Sequence, residues 1–147
     1  MRSTPDDSTP DAAWSALRLP FGAGELVEKV VGGAANQIGR RTLYLLLTTW
    51  DAAGGGPFAA TAIGTVGLDT AVQRLQDQFA ANLFNRVLKA VGADRVRLRA
   101  ALAASQLVGV GVMRYAARTE PLASTDVSVL VNALAPTLQR YLVGEID

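Results

Sequence analysis

Between Arg99 and Arg114 lie fourteen consecutive residues without charge, most of them apolar. The run RAALAASQLVGVGVMR is closed by arginine at both ends, and Pro121 follows soon after. A helix over residues 94–118 therefore has apolar or small residues right round its middle, and a helix of that kind has to be covered from more than one side. A membrane would cover it, but a span needs about 20 apolar residues. The uncharged runs 30–39, 42–50 and 100–113 all fall short. The opening MRSTPDDSTPDAA lacks the apolar segment of a secretory signal. The expectation is a soluble, cytoplasmic chain in which protein does the covering.

The chain is one domain by length, 147 residues, and half of those residues are hydrophobic against 18% charged. One small core cannot absorb that much apolar surface, so an oligomer interface is the natural place for the rest. Cysteine and histidine are both absent. That excludes disulfides, thiolate nucleophiles and histidine-dependent triads, and it leaves carboxylates as the only metal ligands. Neither a metal nor a cofactor is expected. With 14 basic and 13 acidic residues spread along the chain, there is no electrostatic footprint for a phosphate backbone. DNA binding by this chain alone is not expected.

The punctuation is helical throughout. Residues 1–12, rich in Pro, Ser, Thr and Asp, read as a disordered tail. A turn or two over 24–31 precedes a helix over 37–51, and Pro57 fits the first turn of a shorter helix ending at Gly67. Over 69–91, Val72, Leu75, Phe79, Leu83, Val87 and Ala90 recur at helical spacing, with Asp69 as N-cap and Gly92 as stop. The final helix carries Val127, Leu130, Val131, Leu134, Leu138, Tyr141 and Leu142 on one stripe, capped by Ser124 or Thr125. Pro136 within it predicts a kink. No segment alternates as a strand does. The fold class is all-α, a bundle of about five to six helices.

Catalytic motifs do not survive inspection. Gly109 and Gly111 begin a GxG, but Arg114 stands where a dinucleotide fingerprint needs its third glycine. The glycines at 54–56 lack the lysine and hydroxyl of a phosphate loop and read as a flexible connection. Glu25 and Glu28 read as a solvated helix start. An enzyme is not expected. Small-molecule sites are mostly apolar with a few placed polar groups, and Trp50, Phe58, Phe79, Asn82, Gln106 and Met113 offer that mixture. Asn82 and Gln106 stand out, because an amide on an apolar face must find a partner or lose about 1–3 kcal/mol. Arg114 poses the same demand with a charge and is expected to pair with a carboxylate at the edge of the bundle.

The strings RAALAASQLVGVGVMRYAARTEPLAS and LVNALAPTLQRYLVG, preceded by IGRRTLYLLLTTWD and FAANLFNRVLKAVGAD, closely resemble the C-terminal part of tetracycline-repressor (TetR) family transcriptional regulators. The resemblance covers about residues 13–147. It implies an effector-binding and dimerisation domain, with a pocket for a small apolar effector. It also implies a homodimer in which the last two helices pair with their copies as a four-helix bundle. In that bundle Val127, Leu130, Val131, Leu134, Leu138 and Tyr141, with one face of 94–118, would meet the partner. The family's helix-turn-helix domain has no counterpart in these residues, so a regulator lacking its own DNA-binding domain is expected. The alternative is a stand-alone dimeric helical interaction module without DNA binding or catalysis.

Overall fold

The computed structural model of the chain describes residues 12–63 and 67–146. All the regular structure among them is helical. A single turn, α1 (Ala12–Ser15), leads to α2 (Ala23–Val31), and a 3-10 turn, Ala35–Gln37, opens α3 (Ile38–Ala52). After a 3-10 segment, Gly56–Ile63, one rod consists of α4 (Leu68–Gln78), a π-helical stretch Phe79–Phe84 and α5 (Asn85–Ala90). A second rod is α6 (Val96–Gly111) continued by another π-helical stretch, Val112–Ala116. The chain closes with α7 (Val127–Val143). The all-α bundle expected from periodicity is the fold observed. Of the expected tail, residues 1–12, the first eleven lie outside the described residues, and Ala12 opens α1.

The arginines that bracket the greasy run explain how it is held. Arg99, at the start of α6, sends its guanidinium to the last carbonyls of α7: Nη1 to Tyr141 O at 3.0 Å and Nη2 to Gly144 O at 2.6 Å. It pairs on its other side with Asp94, at 3.0 Å. Arg114, at the far end, donates to Leu122 O at 2.7 Å and Thr125 O at 2.6 Å in the turn that enters α7. α6 and α7 therefore run antiparallel and are pinned at both ends, through carbonyls left open at the end of α7 and through carbonyls of the turn that precedes it. Between the pins only apolar packing is required, which is why no charge interrupts 100–113.

The most extensive helix contact is between α3 and α7, and one glycine permits it. A Cβ on Gly39 would lie 2.6 Å from Gln139 N and 2.9 Å from Ala135 O, so the two backbones touch. Gln139 uses that approach to cap α3: the Gly39 amide donates to its Oε1 at 2.7 Å, and its Nε2 donates to Ala35 O at 2.8 Å. The N-cap residue of α3, Gln37, makes no side-chain cap of its own. A first-turn amide is satisfied from a helix a hundred residues away.

Several local expectations are corrected. Gly67, not Asp69, caps α4. The Pro57 segment is 3-10 rather than α-helical; residues 64–66 lie outside the described residues, and Gly67, its expected end, is the cap of the next helix. Asp126, not Ser124 or Thr125, precedes α7. Those hydroxyls instead tie the preceding turn, to Glu120 Oε1 and Pro121 O, each at 2.6 Å. α7 continues through Pro136. Pro136 and Asn132 both lie on the exposed side, so water can take the carbonyl that a proline leaves unbonded. Val96–Ala116, counted as one 21-residue helix, is the described helix that is long and apolar enough to cross a membrane, which the uncharged runs alone concealed. Half of its apolar window is buried in the bundle.

Candidate functional site

Three of the residues expected to bind an effector converge. Trp50 from α3, Phe58 from the 3-10 segment and Phe79 from the first π-helical stretch have ring centroids 5.3 to 5.7 Å apart, and all three are fully buried. Tyr115, from the second π-helical stretch, stacks on Phe58 at 5.7 Å. The cluster is built by unusual backbone. Gly54, Gly55 and Gly56 all take positive φ, and a Cβ on Gly56 would lie 2.2 Å from the Trp50 indole. The triple glycine is thus a tight packing turn, not the flexible connection its composition suggests. On the opposite wall, a Cβ on Gly111 would lie 2.1 Å from the tip of Phe58. Each π-helical stretch contributes one ring to this cluster, Phe79 at the start of the first and Tyr115 near the end of the second, and such bulges recur at functional sites.

A polar lid covers one edge. Arg114 grips Asp51 with two parallel bonds, Nε to Oδ1 at 3.0 Å and Nη2 to Oδ2 at 2.8 Å, and the Tyr115 hydroxyl donates to the same carboxylate. Burial raises the pKa of Asp51, but the bonds from Arg114 and Tyr115 and the charge of Arg114 outweigh it and hold the carboxyl below its ordinary value. Burial, reinforced by the bond to Asp51 and its negative charge, pushes the Tyr115 hydroxyl well above its ordinary value. The carboxylate partner required by Arg114 is therefore real. Asp51 and Tyr115 carry no motif, and only the need of Arg114 for a counter-charge pointed toward such a residue.

The other expected ligand residues lie elsewhere. Asn82 is half-buried within the first π-helical stretch, where its backbone carbonyl accepts a bond from Arg86 Nε at 3.0 Å. Gln106 and Met113 are on the outer side of the α6 rod with Leu98, Leu102, Ser105 and Gly109, and Met113 is 41% exposed. Gln106 lines a groove of about 320 Å³ between α6 and α7, with Ser105, Gly109, Val110, Leu122 and Tyr141. Leu130, Val131 and Leu138 are buried within their own subunit, whereas Val127, Leu134 and Tyr141 keep part of their surface. The exposed side of α7 carries Val129, Ala133, Pro136, Arg140 and Val143.

Among the described residues no group of three or more carboxylates is placed to hold a metal ion. No curated protein matches the chain in sequence. A solved structure that matches is a TetR-family regulator from Streptomyces coelicolor A3, 27% identical, covering 82% of each chain with a TM-score of 0.58. The sequence profile of the tetracyclin repressor-like C-terminal domain matches residues 36–142, the stretch from the start of α3 almost to the end of α7. The chain belongs to that family of regulatory domains.

Proposed function

We propose that this chain is the dimerising, effector-sensing part of a TetR-type regulator, acting through helix packing rather than through catalysis, in the cytoplasm. The observation that carries the dimer is Gly109. Its Cβ position has open space around it, with nothing within 4 Å, so nothing in its own subunit calls for a glycine. It lies in the floor of the α6–α7 groove, beside Ser105, where small residues let another helix approach closely. The exposed apolar groups Leu98 and Met113 flank it on the same rod, with Val129 and Val143 on α7. Together they form the surface that a second copy covers in a four-helix bundle, and Leu134 and Tyr141 reach it from the side.

The effector reading rests on the aromatic cluster. Trp50, Phe58 and Phe79 are joined by backbone of three irregular kinds, a left-handed glycine turn, a 3-10 segment and two π-helical stretches. In this reading the irregular backbone is where the cluster opens to admit a ligand. A small apolar effector takes the place of the Phe58 ring, and the α6 rod shifts through Gly111 and Tyr115. Sequence-specific DNA contact belongs to a separate helix-turn-helix domain, consistent with the net charge of +1. The full packing of the cluster also fits the alternative, a dimeric interaction module that takes no effector.

Sedimentation of the chain at micromolar concentration tests the dimer. We expect a dimer mass for the wild type and a monomer mass for Gly109→Arg, which should keep its helical content while losing the part of its melting temperature that association supplies. A monomeric wild type excludes the interface. A screen of apolar compounds for a raised melting temperature separates the two readings of the cluster: stabilisation of the wild type that grows in Phe58→Leu, where the ring no longer has to be displaced, supports an effector site, and no stabilising compound supports the module.

A further inference from the structure

The groove between α2, α3 and the first half of α7 serves neither role above, and its chemistry is different. It measures about 550 Å³, within the range of small-molecule sites. Lys29, Arg40 and Arg41 line it together with Tyr44, Leu45 and Val131, and no carboxylate does. Ser128 and Asn132 add uncharged hydrogen-bonding groups. Tyr44 is 59% exposed, a large aromatic surface left open to solvent beside three cations.

The charge there is poorly compensated. Glu25 lies 3.7 Å from the Lys29 ammonium, with both groups about half exposed. Neither Arg40 nor Arg41 forms an ion pair with a described residue. Arg40 donates through Nη1 to the amide oxygen of Asn132. Arg41 spends Nε on Val30 O at 2.7 Å, closing the end of α2, while its Nη2 is buried and has no hydrogen-bond partner. A buried guanidinium nitrogen without an acceptor is costly. An anion in the groove would place a counter-charge beside this guanidinium, and the exposed Arg40 can add the short charge-assisted bonds that arginine forms to a carboxylate.

We infer that this groove binds a small organic anion, a carboxylate joined to an apolar body. The carboxylate lies against Arg40 and Arg41, and the body covers Leu45, Val131 and the Tyr44 ring. Because the groove is lined from three helices, occupancy ties α2 to α3 and α7. This site is separate from the aromatic cluster and from the α6–α7 groove, and it stands whether or not the chain dimerises.

The test is titration of the full chain with benzoate, naphthalene-2-carboxylate and octanoate, followed by amide NMR. The neutral naphthalene-2-carboxamide and inorganic phosphate serve as controls. At least one carboxylate should saturate with a Kd below about 1 mM, shifting amides in 40–45 and 128–132. The carboxamide and phosphate should bind at least about tenfold more weakly, the loss expected for a charged hydrogen bond or for the apolar contact. Arg40→Gln and Tyr44→Ala, both at exposed positions, should each weaken binding about tenfold while leaving the melting temperature of the free chain unchanged. Saturation by none of the three carboxylates would overturn the inference. So would equal binding of the carboxamide, an unchanged Kd in both variants, or shifts confined to the aromatic cluster or the α6–α7 groove. Phosphate binding as tight as the best carboxylate would also overturn it, by reassigning the groove to phosphate groups.

Discussion

Gly109 and Gly111 stand two residues apart on one helix and look alike in sequence, yet they belong to different parts of the molecule. Gly111 faces inward, where the tip of the Phe58 ring would sit 2.1 Å from its Cβ. Gly109 faces outward, with nothing within 4 Å. The first is a glycine because its own subunit leaves no room. Nothing in its own subunit requires the second to be a glycine, and the proposed dimer supplies the reason. A small residue in an apolar helix therefore says that something comes close, and only the facing direction says what.

The largest effect expected of this comparison is at the inner glycine. Gly111→Ala drives a methyl group into Phe58, and overpacking of that kind costs about 1–3 kcal/mol, reduced by under 1 kcal/mol of helix propensity gained. Chemical denaturation should show the loss, and Phe58→Leu combined with Gly111→Ala should recover part of it; a Gly111→Ala chain as stable as the wild type would break the distinction between the faces.

The lid beside Gly111 should confer a dependence on acid. The carboxyl of Asp51 titrates below its ordinary 3.8 in the folded chain, so its contribution is complete above that value and is lost as pH falls through the lower, folded one. Because its side chain is 33% exposed, solvent screens the pair and the contribution is on the order of 1 kcal/mol. Stability measured between pH 6 and pH 2 should fall less steeply in Asp51→Asn than in the wild type. Equal slopes would show that the lid adds nothing to the inner face.

A smaller effect is expected where α3 and α7 meet. Gln139→Ala removes the remote cap of α3 and should cost about 1 kcal/mol, the usual value of an N-cap. Hydrogen exchange at the Gly39 amide should quicken with it. The smallest effect, of opposite sign, belongs to the outer glycine. Gly109→Ala meets no neighbour in its own subunit, so in the dissociated chain it should stabilise the fold by up to about 1 kcal/mol through helix propensity. A loss at this position, as large as that at Gly111, would erase the contrast.

Much of the fold was legible because helical periodicity is local. The stripe of α7 and the rod from α4 to α5 follow from spacings of three and four residues, and Arg114 announced its need for a carboxylate before Asp51 was known to meet it. The aromatic residues at 50, 58 and 79, which composition groups as candidate ligand contacts, do meet in one cluster. What spacing could not give was direction. Leu130, Val131 and Leu138 share a stripe with Leu134 and Tyr141, yet the first three are consumed by the core and the others reach the surface. Gln106 and Met113 point away from the cluster they were grouped with, since a helix apolar all round offers no cue to which side faces inward.

By itself, then, the sequence determined an all-helical chain without cysteine or histidine chemistry, its main helices, and a greasy segment that had to be covered, because propensity, periodicity and absent side chains are properties of short stretches. Only the tertiary structure decided that Arg99 and Arg114 pin α6 to α7, that Gln139 caps α3, that the glycines at 54–56 form a tight turn under Trp50, and that three cations from α2 and α3 line one groove. Each of these joins residues distant in the chain, and their meeting depends on how whole helices cross. No local pattern encodes that crossing. It depends on close approaches such as the backbone contact at Gly39 and the ring contact at Gly111.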